Sequence, residues 1–365
     1  MLITALRRLS AALFTRLRRA STRTGDWVLA RPALSAWFYH AEDADNTPSA
    51  DAAYRDFNLS YFARFGEQEK MLADRPRMDF YHAAIARRVR PGDRVIDLGT
   101  GTGILAAFAA RRGAAQVYAI DHSEILEHAR GIAAHNGIEH VEFVSIHSRD
   151  FTLPERVDVL LHEQMGDFLF DEAMVPNVLD LRDRLLKPGG LIVPSRFEFF
   201  CEPVKVRDAR RVPFIWELKV HGYDYSCLER DRPQDPGYYR GGASDLDLVE
   251  HALGEPAPAL TFDLQTLREA DLPREIRVMR TVVNAGRLDG FAVYFRTLVD
   301  DDLALGSGPL DPGRAPHWGF RLLRAEAEVF AVGDVIELTL SVEDWAAPDT
   351  WRWSHTRRDA SAIAA

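Results

Sequence analysis

Two carboxylates stand nine residues apart in the stretch HEQMGDFLFDEAM: Glu163 and Glu172, set among Met, Phe and Leu. Carboxylates held close repel each other and resist ionisation unless a cation lies between them. A guanidinium suits that place, because it is planar, permanently charged and presents five donors in a fork. The pair therefore reads as a clamp for an arginine-like cation. The plainer reading is a helix-start Glu favoured by the dipole beside an unrelated strand-end acid, and spacing alone leaves both open.

A second group precedes it. VIDLGTGTG carries Asp97, Gly99, Gly101 and Gly103 at a strand-to-helix turn, and Asp121 follows 22 residues after Gly99. Glycines there let backbone approach a ligand closely. A dinucleotide loop needs a third glycine where this chain has Ile104, which removes the oxidoreductase reading. The G-x-G-x-G form resembles the first motif of class I methyltransferases, which bind S-adenosylmethionine. An acid at the end of the second strand can accept from both ribose hydroxyls.

The elements that must position these residues alternate. RVIDLG (94–99), VYAID (117–121), VEFV (141–144), VDVLLHE (157–163) and LIVP (191–194) read as strands. Helices are expected over 104–112, stopped by Gly113, over 123–136 with Ser123 as N-cap, and over 172–185. KPGG reads as a turn before the last strand. Such alternation gives a parallel sheet covered by helices. Upstream, residues 54–89 look helical, with Tyr61, Phe65, Met71, Tyr81 and Ile85 as candidate buried positions and a break at Pro76. Beyond Pro194 the period becomes two, in RFEFFCEPVKV, IRVMRTVV, GFAVYFRTLV, GFRLLRAEAEVF and DVIELTLSVED, so an all-β barrel or sandwich follows. TWRW ends it, with Trp351 and Trp353 expected in its core. An aromatic-rich stretch, 207–240, interrupts the strands.

Composition narrows the rest. A net charge of −10 argues against a nucleic-acid partner and for cationic ones. Two cysteines, Cys201 and Cys227, have no metal-site spacing and fit a reducing, cytoplasmic compartment. Only four lysines stand among 45 basic residues, which reads as genome composition. The first 24 residues hold six arginines and no acid, with leucines at helical spacing. They read as a membrane-surface or targeting helix, or more simply as a helix packed on the body; no run is long enough to span a bilayer.

The chain resembles the protein arginine methyltransferases over residues 54–345. Their double-acid loop, S-E-x-M-G-x-x-L-x-x-E-x-M, matches at Glu163, Met165, Gly166, Leu169, Glu172 and Met174. YFARF (61–65), EKMLADRPR (69–77), GYDYSC (222–227) and PHW (316–318) are similar to further family segments, in family order. The resemblance implies a divergent, bacterial member with a short N-terminal basic helix and connector (1–53). A Rossmann-like domain (54–194) and a β-barrel domain (195–365) would follow, the latter with a dimerisation arm near 207–240. It implies S-adenosylmethionine as cofactor, held by Arg77 at its carboxylate, Met71 near its methyl, Asp97, Gly99 and Gly101 at the loop and Asp121 at the ribose. Glu163 and Glu172 would clamp an arginine of a protein or peptide. His317, paired with Asp74, would stand beside the acceptor as a proton route. A homodimer is implied, and no metal.

Several positions depart from the family pattern. Gln164 replaces Trp, Asp167 an aromatic, Phe65 a Tyr, and Gln68 a common His. No residue clearly supplies the adenine-side acid expected just before LP (153–154), near which Arg149 and Asp150 lie. These departures keep two other readings open: a methyltransferase for a small guanidine or amine, and a non-catalytic scaffold that binds the cofactor.

Overall fold

The computed structural model describes residues 61–243 and 247–358. The basic helix and connector expected over 1–53 lie outside the described residues. Two helices come first, α1 (Phe65–Ala73) and α2 (Arg75–Arg88). They are separated by Asp74, whose side chain accepts the Arg77 N–H and caps α2. The break thus falls two residues before the position expected, and Pro76 sits in the first turn of α2, where its missing N–H costs nothing. Tyr81 and Ile85 are buried as expected; Phe65 is 59% exposed, because α1 turns that face outward.

The alternating segment follows: β1 (Arg94–Leu98), α3 (Ile104–Arg111), β2 (Gln116–Asp121), α4 (Ile125–His135), β3 (Val141–Ser145), β4 (Val157–His162), α5 (Met174–Leu185) and β5 (Leu186–Val193). All five strands pair in parallel, in the order β3-β2-β1-β4-β5. Val95 to Leu98 are buried in an unbroken run, as a strand covered on both faces requires. Three boundaries differ from the sequence reading. Ser123 turns back to Asp121 rather than capping α4, which begins two residues later. α5 begins at Met174 because Ala173 adopts a left-handed φ of 52° that ends the preceding turn. KPGG is part of β5, with a register shift against β4 between Val157 and Val159.

The remaining strands are β6 (Arg196–Val206), β7 (Lys219–Val220), β8 (Tyr223–Asp224), β9 (Arg240–Ala243), β10 (Val249–Ala252), β11 (Leu260–Asp263), β12 (Glu275–Thr281), β13 (Gly286–Leu298), β14 (Ala304–Gly306), β15 (Phe320–Phe330), β16 (Val335–Ser341) and β17 (Arg352–Arg358). One antiparallel sheet runs β10-β6-β13-β15-β9, with β11 on β6 and β14 on β13; another runs β12-β16-β17. They close as a barrel-like body. β17 runs past the TWRW that ends the barrel in the sequence reading, through the polar SHTRR: it is an edge strand paired only to β16. Trp351, just before it, is fully buried against Trp345, Phe168 and Phe199. One apolar core links both halves, from Phe80 and Ile96 to Phe295 and Trp351, and a smaller cluster around Phe200 and Tyr294 lies beside it in the barrel.

Candidate active site

The strand order reverses direction between β1 and β4, and ligands bind at such a switch point, beyond the carboxyl ends of the strands. The sequence places its chemistry there. β1 ends in the glycine loop, β2 in Asp121, and β4 in His162 and Glu163. A cleft of about 830 Å3 opens at this edge, lined by Gly99, Gly101, Asp121, Glu163, Glu172 and their neighbours.

The glycine loop is held from beneath. Asp97 is fully buried; its Oδ2 accepts from the Thr100 hydroxyl at 2.6 Å and the Ala106 N–H at 3.0 Å. Burial pushes its carboxyl up to about 7. Asp97, expected at the cofactor, does not itself line the cleft; it shapes the turn that does. Asp121 does line it, and accepts the Gly101 N–H at 2.9 Å and both donors of Ser123. Gly101 needs its glycine: φ is 54°, and a Cβ would stand 3.1 Å from Gln68 Oε1.

The loop from 163 to 172 answers why carboxylates lie among core residues. Met165, Phe168, Leu169, Phe170 and Met174 are all buried. Phe168 packs edge-on against Trp351, and Phe170 against Phe199 and Trp345. Leu169 carries a left-handed φ of 73°, a cost of about 1–3 kcal/mol. Each buried Leu or Phe returns about 1.5–3 kcal/mol, so the anchors win. With the apolar residues pinned into the barrel, Glu163, Gln164, Asp167, Asp171 and Glu172 all line the cleft. Gly166 is required as well, because a Cβ there would collide with the Asp171 carboxylate.

The two glutamates share this cleft. Burial raises the Glu163 carboxyl, with Arg77 opposing. Burial raises Glu172 well above its ordinary range, and Glu163, Asp171 and Asp167 add repulsion. The site thus carries excess acid in a poorly hydrated place, which a cation would relieve. Arg77, only 5% exposed, supplies part of that relief. Its Nη1 lies 3.2 Å from Glu163 Oε1 and its Nε 3.9 Å from Asp74 Oδ2. The indole of Trp318 covers its guanidinium at 3.7 Å, and the Trp318 Nε1–H is anchored on the Met165 carbonyl at 2.9 Å. Trp318 therefore joins the barrel to the double-acid loop.

His317 lines the cleft and is exposed, but its contact with Asp74 differs from expectation. Asp74 Oδ2 accepts the backbone N–H of His317 at 3.0 Å. No ion pair joins the imidazole to Asp74 among the described residues. Asp74 spends its acceptors on two backbone N–H groups, positioning α2 and the 316–318 loop. Gln68 and Met71 line the cofactor side, Gln68 donating to the Phe62 carbonyl at 2.8 Å. Arg149 and Asp150 lie in a short 3-10 turn and do not line the cleft.

Sequence reasoning missed one acid that lines the cleft and two residues that support the end of β4. Asp171, pushed up to about 6 by burial and by Asp167, accepts the Phe168 N–H at 3.0 Å. Tyr81 reaches from α2 to the His162 carbonyl at 3.2 Å. His162, where the family pattern has Ser, is fully buried and held neutral, its imidazole pushed down to about 4 by desolvation. Its Nε2 donates to the Pro194 carbonyl at 2.8 Å and fixes the end of β4. Only Asp171 carried a visible signal, as a further acid in the double-acid loop.

Comparison with known proteins supports the same assignment. A family profile described as "Methyltransferase domain" matches residues 95–190. The protein arginine N-methyltransferase PRMT10 of Oryza sativa subsp. japonica is 32% identical over 71% of this chain and 76% of its own length. The chain belongs to the protein arginine N-methyltransferase family. PRMT10 of Arabidopsis thaliana is 31% identical over 74% of this chain and 79% of its own length. The crystal structure of Arabidopsis thaliana protein arginine methyltransferase 10 superposes with a TM-score of 0.69 at 27% identity, covering 83% of this chain and 96% of that one. The Trypanosoma brucei PRMT1 enzyme-prozyme complex has the same fold, with a TM-score of 0.67 at 24% identity over 81% of this chain and 99% of that one. These relatives are eukaryotic and lend nothing to the bacterial source expected. The parallel-sheet methyltransferase half and the antiparallel barrel-like half are those of this methyltransferase family.

The residues present fit S-adenosylmethionine. Gly99 and Gly101, Asp121 with its carboxylate fixed by the Gly101 N–H and Ser123, and the buried Arg77 all line the cleft.

Proposed function

We propose that this chain transfers a methyl group from S-adenosylmethionine to a guanidinium nitrogen of arginine in a protein or peptide. The observation that carries the reading is the pair Glu163 and Glu172 on the cleft of the glycine loop, both carboxyls raised by burial. Arg77, Met71, Gly99, Gly101 and Asp121 would hold the cofactor, which supplies an electrophilic methyl on a sulfonium. The two glutamates align the acceptor and draw its positive charge away from the attacking nitrogen. That nitrogen sheds one proton for each methyl gained. Glu172, with the more strongly raised carboxyl, is the group placed to take it. His317 would border the acceptor from the 316–318 loop, positioned through its backbone bond to Asp74.

The working division puts the cofactor on residues 54–194 and the acceptor wall on 195–365, with a homodimer formed through the arm. Support for the dimer is the apolar exposure of Val212, Ile215, Val220 and Tyr223 in that arm. Beneath them Phe214 stacks on Trp216 at 4.8 Å and is covered by Arg324 at 4.0 Å. Cys227 is exposed and Cys201 buried, both free, which fits the cytoplasm. No helix among the described residues is long and apolar enough to cross a membrane.

Incubation with methyl-labelled cofactor and an arginine-rich peptide, read by mass spectrometry, tests the reaction. Label on arginine side chains is the expected result. Label on lysine or on small guanidines alone, with arginine peptides untouched, would overturn the proposal.

A further inference from the structure

Asp167 is a residue of the double-acid loop that leaves the family pattern, and the structure shows what it holds. Its Oδ2 lies 2.9 Å from Arg321 Nη2, at the start of β15. The Arg321 guanidinium also rests over the Phe168 ring, 5.6 Å from its centroid. Gly319 lets the 316–319 loop close on this carboxylate: a Cβ there would stand 2.8 Å from Asp167 Oδ1. Asp167 and Arg321 both line the cleft, and both side chains are about a third exposed, 30% and 35%. A guanidinium of the chain itself thus sits at the cleft mouth against a carboxylate and an aromatic face. A basic side chain of an acceptor peptide would seek the same partners.

We propose that Arg321 is an internal stand-in for a basic residue neighbouring the target arginine, and that the Asp167–Arg321 pair sets acceptor preference. An acceptor with a second arginine exchanges with Arg321 and takes its place on Asp167 and Phe168. An acceptor with a neutral neighbour leaves the pair closed. Charge selects a cation over an anion here. The cleft lining carries Glu67, Asp121, Glu163, Asp167, Asp171 and Glu172 against Lys70, Arg77 and Arg321. A carboxylate beside the target would meet Asp171 and Glu172. Both side chains reach solvent, and an ion pair open to water is worth only about 0.2–1 kcal/mol, so the exchange is cheap.

This inference rests on the reading of the two glutamates as the arginine clamp. Two peptides separate it from that reading: one with the target arginine flanked by arginine, one identical but flanked by glutamine. The measured quantity is the ratio of their kcat/KM values, which cancels general loss of activity. In the wild type the ratio should favour the arginine-flanked peptide. Asp167→Asn should lower the ratio roughly fivefold, towards one, and Arg321→Gln should raise it by a similar factor. Opposite movement of the two variants is the signature of competition; a merely structural tether would lower the melting temperature of both and leave the ratio alone. An unchanged ratio in both variants, or a fall with Arg321→Gln, overturns the inference while the clamp stands. Failure of the wild type to methylate either peptide defeats the clamp instead. If Asp167→Asn does not fold, Arg321→Gln alone decides, since its predicted direction is a gain.

Discussion

Replacing Glu163 by Gln keeps the shape of the side chain and removes one charge beside the acceptor position. The carboxylate stands 3.2 Å from the Arg77 guanidinium. At an effective dielectric of about 20, a unit pair at that distance interacts by about 5 kcal/mol. An acceptor guanidinium would feel an interaction of that order. Only the part that grows towards the transition state lowers the barrier, and losing one preorganised electrostatic partner costs about 2.7–4 kcal/mol. The expected fall in kcat is therefore roughly 10²–10³-fold. Cofactor affinity should hold or tighten, because Arg77 loses a competitor for the ligand carboxylate yet stays fixed by Trp318 and Asp74. A second consequence concerns pH. Glu172 is raised first by burial and next by Glu163. Removing Glu163 takes away one raising influence, so the Glu172 carboxyl should ionise at lower pH. The acid limb of kcat/KM for the residual activity should move to lower pH. Initial rates of labelled methyl transfer from pH 5 to 9, with a calorimetric titration of S-adenosylhomocysteine, measure all three effects. A kcat within fivefold of wild type, or an acid limb displaced upward, would refute the reasoning.

Three further changes probe the supports of the site. Trp318→Phe removes the bond to the Met165 carbonyl, about 1 kcal/mol, and weakens the cation–π cover of Arg77 by a similar amount. The cofactor Kd should rise roughly tenfold, and a calorimetric Kd unchanged within twofold would dismiss this role. Asp97→Asn addresses the buried acid whose carboxyl is pushed up to about 7. A raised folded value means that its stability contribution is present below the ordinary carboxylate range and is lost as pH rises through about 7. Melting temperature should therefore fall less steeply between pH 4 and 7 in the variant than in the wild type; equal slopes would count against the assignment. Glu202→Gln breaks the buried pair with Arg280, whose Nε and Nη2 lie 2.7 and 2.6 Å from the carboxylate. Leaving that guanidinium uncompensated should cost about 3 kcal/mol in urea unfolding, and a loss below about 0.5 kcal/mol would show the pair to be neutral.

Much of this architecture is legible in the chain because its signals are local. Apolar runs place β1, closed by Gly99, and β2, closed by Asp121, and the change of period after Pro194 marks the antiparallel half. The glycine loop, Asp121 and Glu163 fall on one sheet edge because they follow or end parallel strands, whereas Glu172 reaches it through the loop that follows β4. Other features depend on partners far away in sequence. Asp74 meets His317 through a backbone N–H 243 residues on, and nothing in either segment says that the backbone makes this contact. Phe65 has helical spacing but faces outward, since spacing gives a face and not its orientation. Asp97 sits in the motif expected to touch the cofactor, yet its depth beneath the turn is set by Thr100 and Ala106. The polar strand β17 offers the sequence little beyond Trp353, because most of its side chains are exposed.

Trp318 has a consequence for how this enzyme can be cut or recombined. Its indole, carried by the barrel-side loop, is the ceiling over an arginine that belongs to the cofactor half, and its N–H ties down the loop that bears Glu163. The two halves are therefore not exchangeable modules. A chain ending after the parallel sheet would keep every glycine of the cofactor loop and still lose the lid of its deepest cation. A chimera with a foreign barrel would work only if that barrel returned a tryptophan to the same spot.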